Sequence, residues 1–175
     1  YMARIPWFER KFNFDFPHQL YPEIMARLRG TPARLEEQIG AISPAILKLS
    51  HEGRWSIQEN AGHLGDLEPL WYGRIEDICS GLEVMREADL SNTGTFEAKH
   101  NDSNIADLLQ RFRELRGKLI AKLETLQEAD FAKASLHPRL DKPMRLVDLC
   151  LFVAEHDDFH LATVKELSLI FEKMS

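Results

Sequence analysis

Cysteine is scarce in this 175-residue chain: Cys79 and Cys150 are the only two, and they form no CxxC pair. A thiol metal site and a disulfide framework are both poorly supported, and a reducing cytosol is the simplest home. Positive charge is in deficit as well, with 22 Lys and Arg against 28 Asp and Glu for a net charge of −6. That balance, without a basic cluster, opposes nucleic-acid binding by phosphate attraction. No apolar run approaches the ~20 residues that would cross a bilayer. The opening Tyr1-Met2-Ala3-Arg4 leads into Trp7, Phe8, Phe12, Phe14 and Phe16 with Glu9, Arg10, Lys11 and Asp15 between them. Those charges interrupt any stretch that could serve as the apolar segment of a signal peptide. Sustained strand alternation, internal repeats and low-complexity tracts are missing too. What is there, 44% apolar and 29% charged residues, suits one globular domain spanning 1–175.

Helical periodicity supplies the organisation. The first helical region starts near Tyr21-Pro22 and is punctuated by Gly30-Thr31-Pro32, where Thr31 can act as N-cap with Pro32 at the first helical position. Leu28, Leu35, Ile39 and Ile42 form its apolar stripe, and Ser43-Pro44 ends it. A capping box, Ser56-Ile57-Gln58-Glu59, opens the second helix. Its stripe is Ile57, Ala61, Leu64, Trp71, Ile75, Ile78 and Leu82, with Gly81 at the frayed end. Glu83 to Ser103 reads as a long loop. A third helix covers about Asn104 to Leu126, with Ile105, Leu108, Phe112, Leu115, Leu119 and Leu126 inward. A second loop, Asp130 to Lys142, contains His137-Pro138, and Pro143 suits the first turn of the fourth helix. There Leu146, Leu149, Val153, His156, His160, Thr163, Leu167 and Ile170 make a bundle seam. An all-α four-helix bundle buries four such stripes, and the aromatic arm at residues 1–20 lies across it or against a partner.

His156 and His160 share that seam at i, i+4. With seven histidines, some such pair arises by chance about one time in four, so spacing alone decides nothing. Position says more, because two imidazoles in an apolar seam are costly unless each finds a partner. A divalent metal provides one, neutral imidazole being a preferred ligand. Core histidines hydrogen-bonded to carboxylates from other helices would also satisfy the pattern. A third ligand must come from another helix, and His63, at the edge of the second stripe, is the natural choice. Gly62 and Gly65 beside it weaken the helix and suggest a close approach to the backbone. Asp66 could orient an imidazole or be an additional ligand, whereas Glu59 is claimed by the cap. Asp157 and Asp158 fall off the seam and read as a solvated face. His18, His51, His100 and His137 read as surface histidines, and both cysteines as small core residues.

Trp55-Ser56-Ile57-Gln58-Glu59, Gly62-His63-Leu64 and Glu155-His156-Asp157-Asp158-Phe159-His160 together resemble the DinB-like (DinB/YfiT-type) family of metal-dependent enzymes. Trp7-Phe8-Glu9-Arg10, Leu28 to Leu35 and His137-Pro138-Arg139-Leu140 extend the resemblance over nearly the whole chain. The resemblance implies an up-down-down-up bundle, often dimeric, with a divalent ion (zinc, nickel, manganese or iron) on three histidines. By position these are His63, His156 and His160. It also implies a small-molecule substrate. Some members look like S-transferases using bacillithiol, mycothiol or glutathione, a related branch isomerises maleylpyruvate with mycothiol, and others are called hydrolases or damage-inducible proteins.

Three functions follow as expectations. In the first, a metal on the three histidines activates a low-molecular-weight thiol for S-transfer, with Asp66 orienting an imidazole or accepting a proton. In the second, the same metal activates water for hydrolysis. In the third, the bundle is a non-catalytic stress-response module that binds a ligand in its pocket or a partner through its arm. Exposed apolar surface on the arm is consistent with a homodimer.

Overall fold

The computed structural model describes residues 4–174, so Tyr1, Met2 and Ala3 of the expected arm, and Ser175, lie outside the described residues. The helices are α1 (Tyr21–Gly40), α2 (Ile57–Cys79), the short α3 (Thr93–Ala98), α4 (Ile105–Glu124) and α5 (Leu146–Met174). Strands β1 (Ala134–His137) and β2 (Lys142–Arg145) form an antiparallel hairpin between α4 and α5. No helix among the described residues is long and apolar enough to cross a membrane.

Side-chain pairs fix the direction of each long helix. Asp66 meets Arg111 and Glu68 meets Arg116, so α2 and α4 run parallel. Arg29 pairs with Glu124 and Arg113 with Glu36, so α1 opposes α4. Asn60 bonds His160 and Trp71 packs on Phe152, so α5 opposes α2. The result is an up-down-down-up four-helix bundle. Parallel α2 and α4 require the intervening chain to travel back along the bundle, roughly 34 Å for a helix of 23 residues. Residues 80–104 make that return. They are a structured connection rather than a plain loop, carrying α3 and a 3₁₀ turn over His100–Asp102. The Gln58 amide anchors the turn by donating to the carbonyls of His100 (2.6 Å) and Ser103 (2.9 Å).

The capping box opens α2 as the sequence indicates: Ser56 Oγ accepts from the Glu59 N–H at 3.0 Å, and Glu59 accepts from the Ser56 N–H at 2.7 Å. Three other expectations need correction. Thr31 caps nothing, because α1 runs unbroken through Gly30-Thr31-Pro32. Pro32 has no N–H for the Leu28 carbonyl one turn back; that carbonyl accepts instead from Arg116 Nη1 at 3.0 Å. Pro143 belongs to β2, opposite Leu136, and α5 begins three residues later. Leu82 lies beyond α2 and is exposed.

The interior is two apolar clusters divided by a polar layer. Leu28, Trp71, Leu119, Phe152 and Val153 lie on one side, and Leu35, Leu64, Phe112, Leu161 and Leu167 on the other. Between them sit Thr31, Glu68, Arg116 and Asp157, alongside His63, His156 and His160. Arg116 joins all four long helices: its guanidinium meets Glu68 (2.6 Å) on α2, Asp157 (2.6 Å) on α5 and the Leu28 carbonyl on α1. Thr31 Oγ1 adds a donor to Asp157 at 2.7 Å. Asp157 therefore corrects the solvated-face reading, since it is fully buried. Asp158 is half-exposed and pairs with Arg27 and Arg34.

Removing one partner of a buried ion network leaves the others uncompensated. Arg116→Leu, which turns Glu68 and Asp157 toward each other with no cation between them, should lower the unfolding free energy by ~3–5 kcal/mol in urea denaturation. An unchanged midpoint and slope would contradict this role for Arg116.

Candidate metal centre

His63 from α2 and His156 and His160 from α5 meet in the interior of the bundle. One ring nitrogen from each lies within 4.8 Å of the others, and all three residues are buried. Asp66 stands outside this converging set. Burial lowers the pKa of His63 to about 4, only partly offset by Asp66, and drives those of His156 and His160 well below the usual imidazole range. Three neutral rings thus present lone pairs in a desolvated spot.

The hydrogen bonds around them orient those lone pairs. Asn60 Nδ2 donates to the Ser56 carbonyl at 2.8 Å, which turns its Oδ1 to His160 Nδ1, also at 2.8 Å. His160 Nδ1 is then the protonated nitrogen and Nε2 the free one. Thr95 Oγ1 donates to Asp66 Oδ2 at 2.9 Å, leaving its oxygen to accept from His63 Nδ1 at 2.9 Å. His63 Nε2 is likewise left with its lone pair.

His156 completes the pattern by failing to complete it. Its Nε2 lies 3.2 Å from His160 Nε2, while its Nδ1 is buried with no hydrogen-bond partner among the described residues. Whichever nitrogen carries the proton, one is left unmatched, and such buried groups are rare. With the proton on Nδ1 the two Nε2 lone pairs face each other, and a cation shared by the rings removes that opposition. Nitrogens bound at ~2.0–2.1 Å to a tetrahedral ion lie about 3.3 Å apart, close to the 3.2 Å between His156 and His160, with the His63 nitrogen within 4.8 Å. The donor set fits a divalent transition metal.

Asp66 reaches His63 only through Thr95. It also accepts from His100 Nε2 (2.6 Å) and Arg111 (2.8 Å). Burial alone would raise its pKa, but these hydrogen bonds overcome it and bring Asp66 down to about 2. His100 is buried, not at the surface, and so is His137. The reason for His100 is Gly62: a Cβ there would lie 2.4 Å from the His100 ring. The close approach suspected from the two glycines is real at Gly62, whereas a Cβ at Gly65 would make ordinary contacts. Burial pushes the Cys150 thiol up to about 12, in keeping with a core residue.

The chain's three tryptophans ring the imidazoles. Trp7 packs edge-on against His156 (5.0 Å between centroids), Trp71 does so at 5.6 Å, and Trp55 lies 4.7 Å from His63. The arm therefore lies across its own bundle, held where Arg4 donates to the Phe159 carbonyl (2.7 Å) and Thr163 (2.8 Å). Arm, helices, return connection and hairpin line an open cavity of about 890 Å³ with the three histidines in its wall. Thr95, His100 and Asn60 escaped the sequence reading because their signal is tertiary; the two glycines were the only local hint.

A model of the DinB superfamily matches residues 27–164. The chain belongs to the DinB superfamily. Within it, the chain is 26% identical over 146 residues to "Putative metal-dependent hydrolase YfiT" of Bacillus subtilis, covering 81% of this chain and 80% of that protein. A protein of the same printed description in Bacillus licheniformis is 28% identical over 115 residues, covering 65% and 64%. The solved structure of YfiT, described as an unusual four-helix bundle, superposes with a TM-score of 0.76 at 22% identity, covering 93% of this chain and 94% of that one. The crystal structure of the mycothiol-dependent maleylpyruvate isomerase gives 0.66 at 13% identity, covering 85% of this chain and 60% of that one. In this DinB-like chain, removing the Thr95 hydroxyl should matter for metal more than for folding. Thr95→Val should weaken Zn²⁺ or Ni²⁺ binding ~10–100-fold in competition with a chromophoric chelator. Wild-type affinity in the variant would contradict the orienting role.

Proposed function

We propose that this DinB-like protein is a metal-dependent S-transferase that takes a low-molecular-weight thiol and an electrophilic small molecule into its cavity, with His63, His156 and His160 as the metal ligands. The observation that carries the reading is the convergence of three neutral imidazole nitrogens at the wall of a large aromatic cavity. Three protein ligands leave a coordination position for substrate, the arrangement of catalytic rather than structural sites. A divalent ion there supplies Lewis acidity, which holds a bound thiol as thiolate near neutral pH or lowers the pKa of water.

The protein's own groups do the rest. Asn60 and the Thr95–Asp66 pair hold His160 and His63 in the tautomers that point their lone pairs at one place, so Asp66 acts as a positioning residue. Trp7, Trp55 and Trp71 keep bulk water from the rings. The nucleophile's sulfur forms a bond to the electrophilic carbon as the leaving group departs with the bonding electrons.

Thiol is favoured over water because of what the cavity offers as a base. The carboxylates lining it among the described residues are Glu87, Asp89 and Glu166. Glu87 and Asp89 are exposed, and Glu166 is held by Arg4 and Arg54 at the rim. None stands among the imidazoles to take a proton from water, and a thiol, with a free pKa of ~8.5 against ~15.7 for water, needs such a base less. The printed names of the relatives favour hydrolysis, and substrates separate the two readings.

Metal-loaded protein should transfer glutathione, bacillithiol or mycothiol to 1-chloro-2,4-dinitrobenzene, releasing chloride, and His160→Ala should fall to the protein-free rate. Equal rates in both proteins would refute the proposal. Cleavage of 4-nitrophenyl acetate without thiol, lost in His160→Ala, would favour hydrolysis.

A further inference from the structure

The cavity extends well past the imidazoles, and its far end is cationic. Arg74 lies eleven residues beyond His63 on α2, nearly the same face of the helix and about 16 Å along it. Its side chain is 2% exposed. Its Nε donates to the Arg86 carbonyl at 3.0 Å, and its Nη1 lies 3.1 Å from His137 Nε2. Neither partner is an anion. The nearby carboxylate, Asp77, is engaged by the backbone N–H, Nε and Nη2 of Arg86 at 2.7–2.9 Å. Burial, then the charge of Arg139, lowers Arg74 to about 10.

Arg139, in the turn of the hairpin, repeats the anomaly. Its Nη2 is buried with no hydrogen-bond partner among the described residues. The guanidinium sits over Phe8 (5.2 Å) and Phe152 (6.0 Å), and the residue lines the same cavity. His137 between the two arginines is held neutral, its pKa lowered to about 4 by burial and by both cations. Two neighbouring guanidiniums without carboxylate partners are costly to bury. Such an arrangement fits an anion recognised through the planar fork of arginine. Glu87 and Asp89, which also line the cavity, are exposed and make no recorded bond to either arginine.

We propose that Arg74 and Arg139 form a carboxylate subsite, so that the cavity takes an organic acid whose apolar body lies along Trp7, Trp71 and Phe152 and whose other end reaches the three imidazoles. His137 packs on Phe152 at 5.3 Å between centroids, and Phe152 lies one turn from His156 on α5, which sets the span at on the order of 10 Å. The identity of the second end rests on the S-transferase reading; the carboxylate subsite does not.

The test uses metal-free full-length protein and no thiol, so it can fail without touching the metal centre. 4-Phenylbutyrate and 4-phenyl-1-butanol have the same body and differ at one end. Calorimetry should show the acid binding about tenfold tighter to wild type. Arg139→Gln should erase the difference while leaving the alcohol unchanged; Arg139 is only part-buried, so this variant should keep the wild-type melting point. Arg74→Lys, if folded, should weaken the acid similarly. Equal affinity of acid and alcohol for wild type would overturn the proposal. So would inorganic phosphate that displaces 4-phenylbutyrate at equal affinity, since the subsite would then not be one for organic acids.

Discussion

A polar layer through the middle of an apolar bundle has to satisfy itself, and nearly everything distinctive in this protein follows from how it does so. One half of the layer is an ion network in which Arg116 meets Glu68, Asp157 and the Leu28 carbonyl. The other half is three imidazoles that have given up their charge to burial. The first half balances without outside help. The second does not, because His156 has a buried nitrogen without a partner and another facing the lone pair of His160. A divalent metal fits the second half, because it would take up the converging Nε2 lone pairs.

The two halves are mechanically joined. Asp157, which binds Arg116, is the neighbour of His156 on α5, and Glu68 is five residues from His63 on α2. The ion network thus fixes the azimuth of the two helices that carry the ligands. Parallel α2 and α4 force the long return connection, and that connection brings Thr95 to His63 and His100 to Asp66. Topology and site are consequences of one another: a plain up-and-down bundle would have no segment there to orient the ring.

Much of this was legible in the residues and some was not. The stripes, the Ser56 capping box and the meeting of His63 with His156 and His160 follow from periodicity, because helix faces repeat and apolar faces converge. Thr31-Pro32 misleads as a helix start because the carbonyl that Pro32 leaves unbonded is used by an arginine 88 residues away. Asp157 misleads because its partner comes from another helix, and a buried aspartate at the edge of a seam looks like a solvated one until the arginine is placed. His100 and His137 fall in segments without period, whose burial only the folded chain reveals.

Elemental analysis of protein purified without an affinity tag addresses the central claim most directly. Wild type should carry close to one divalent transition-metal ion per chain, and His156→Ala, which removes a ring from the cluster, should carry a small fraction of that. Metal-free wild type that stays metal-free after incubation with zinc, nickel, manganese and iron, with an unchanged melting temperature, would contradict the account.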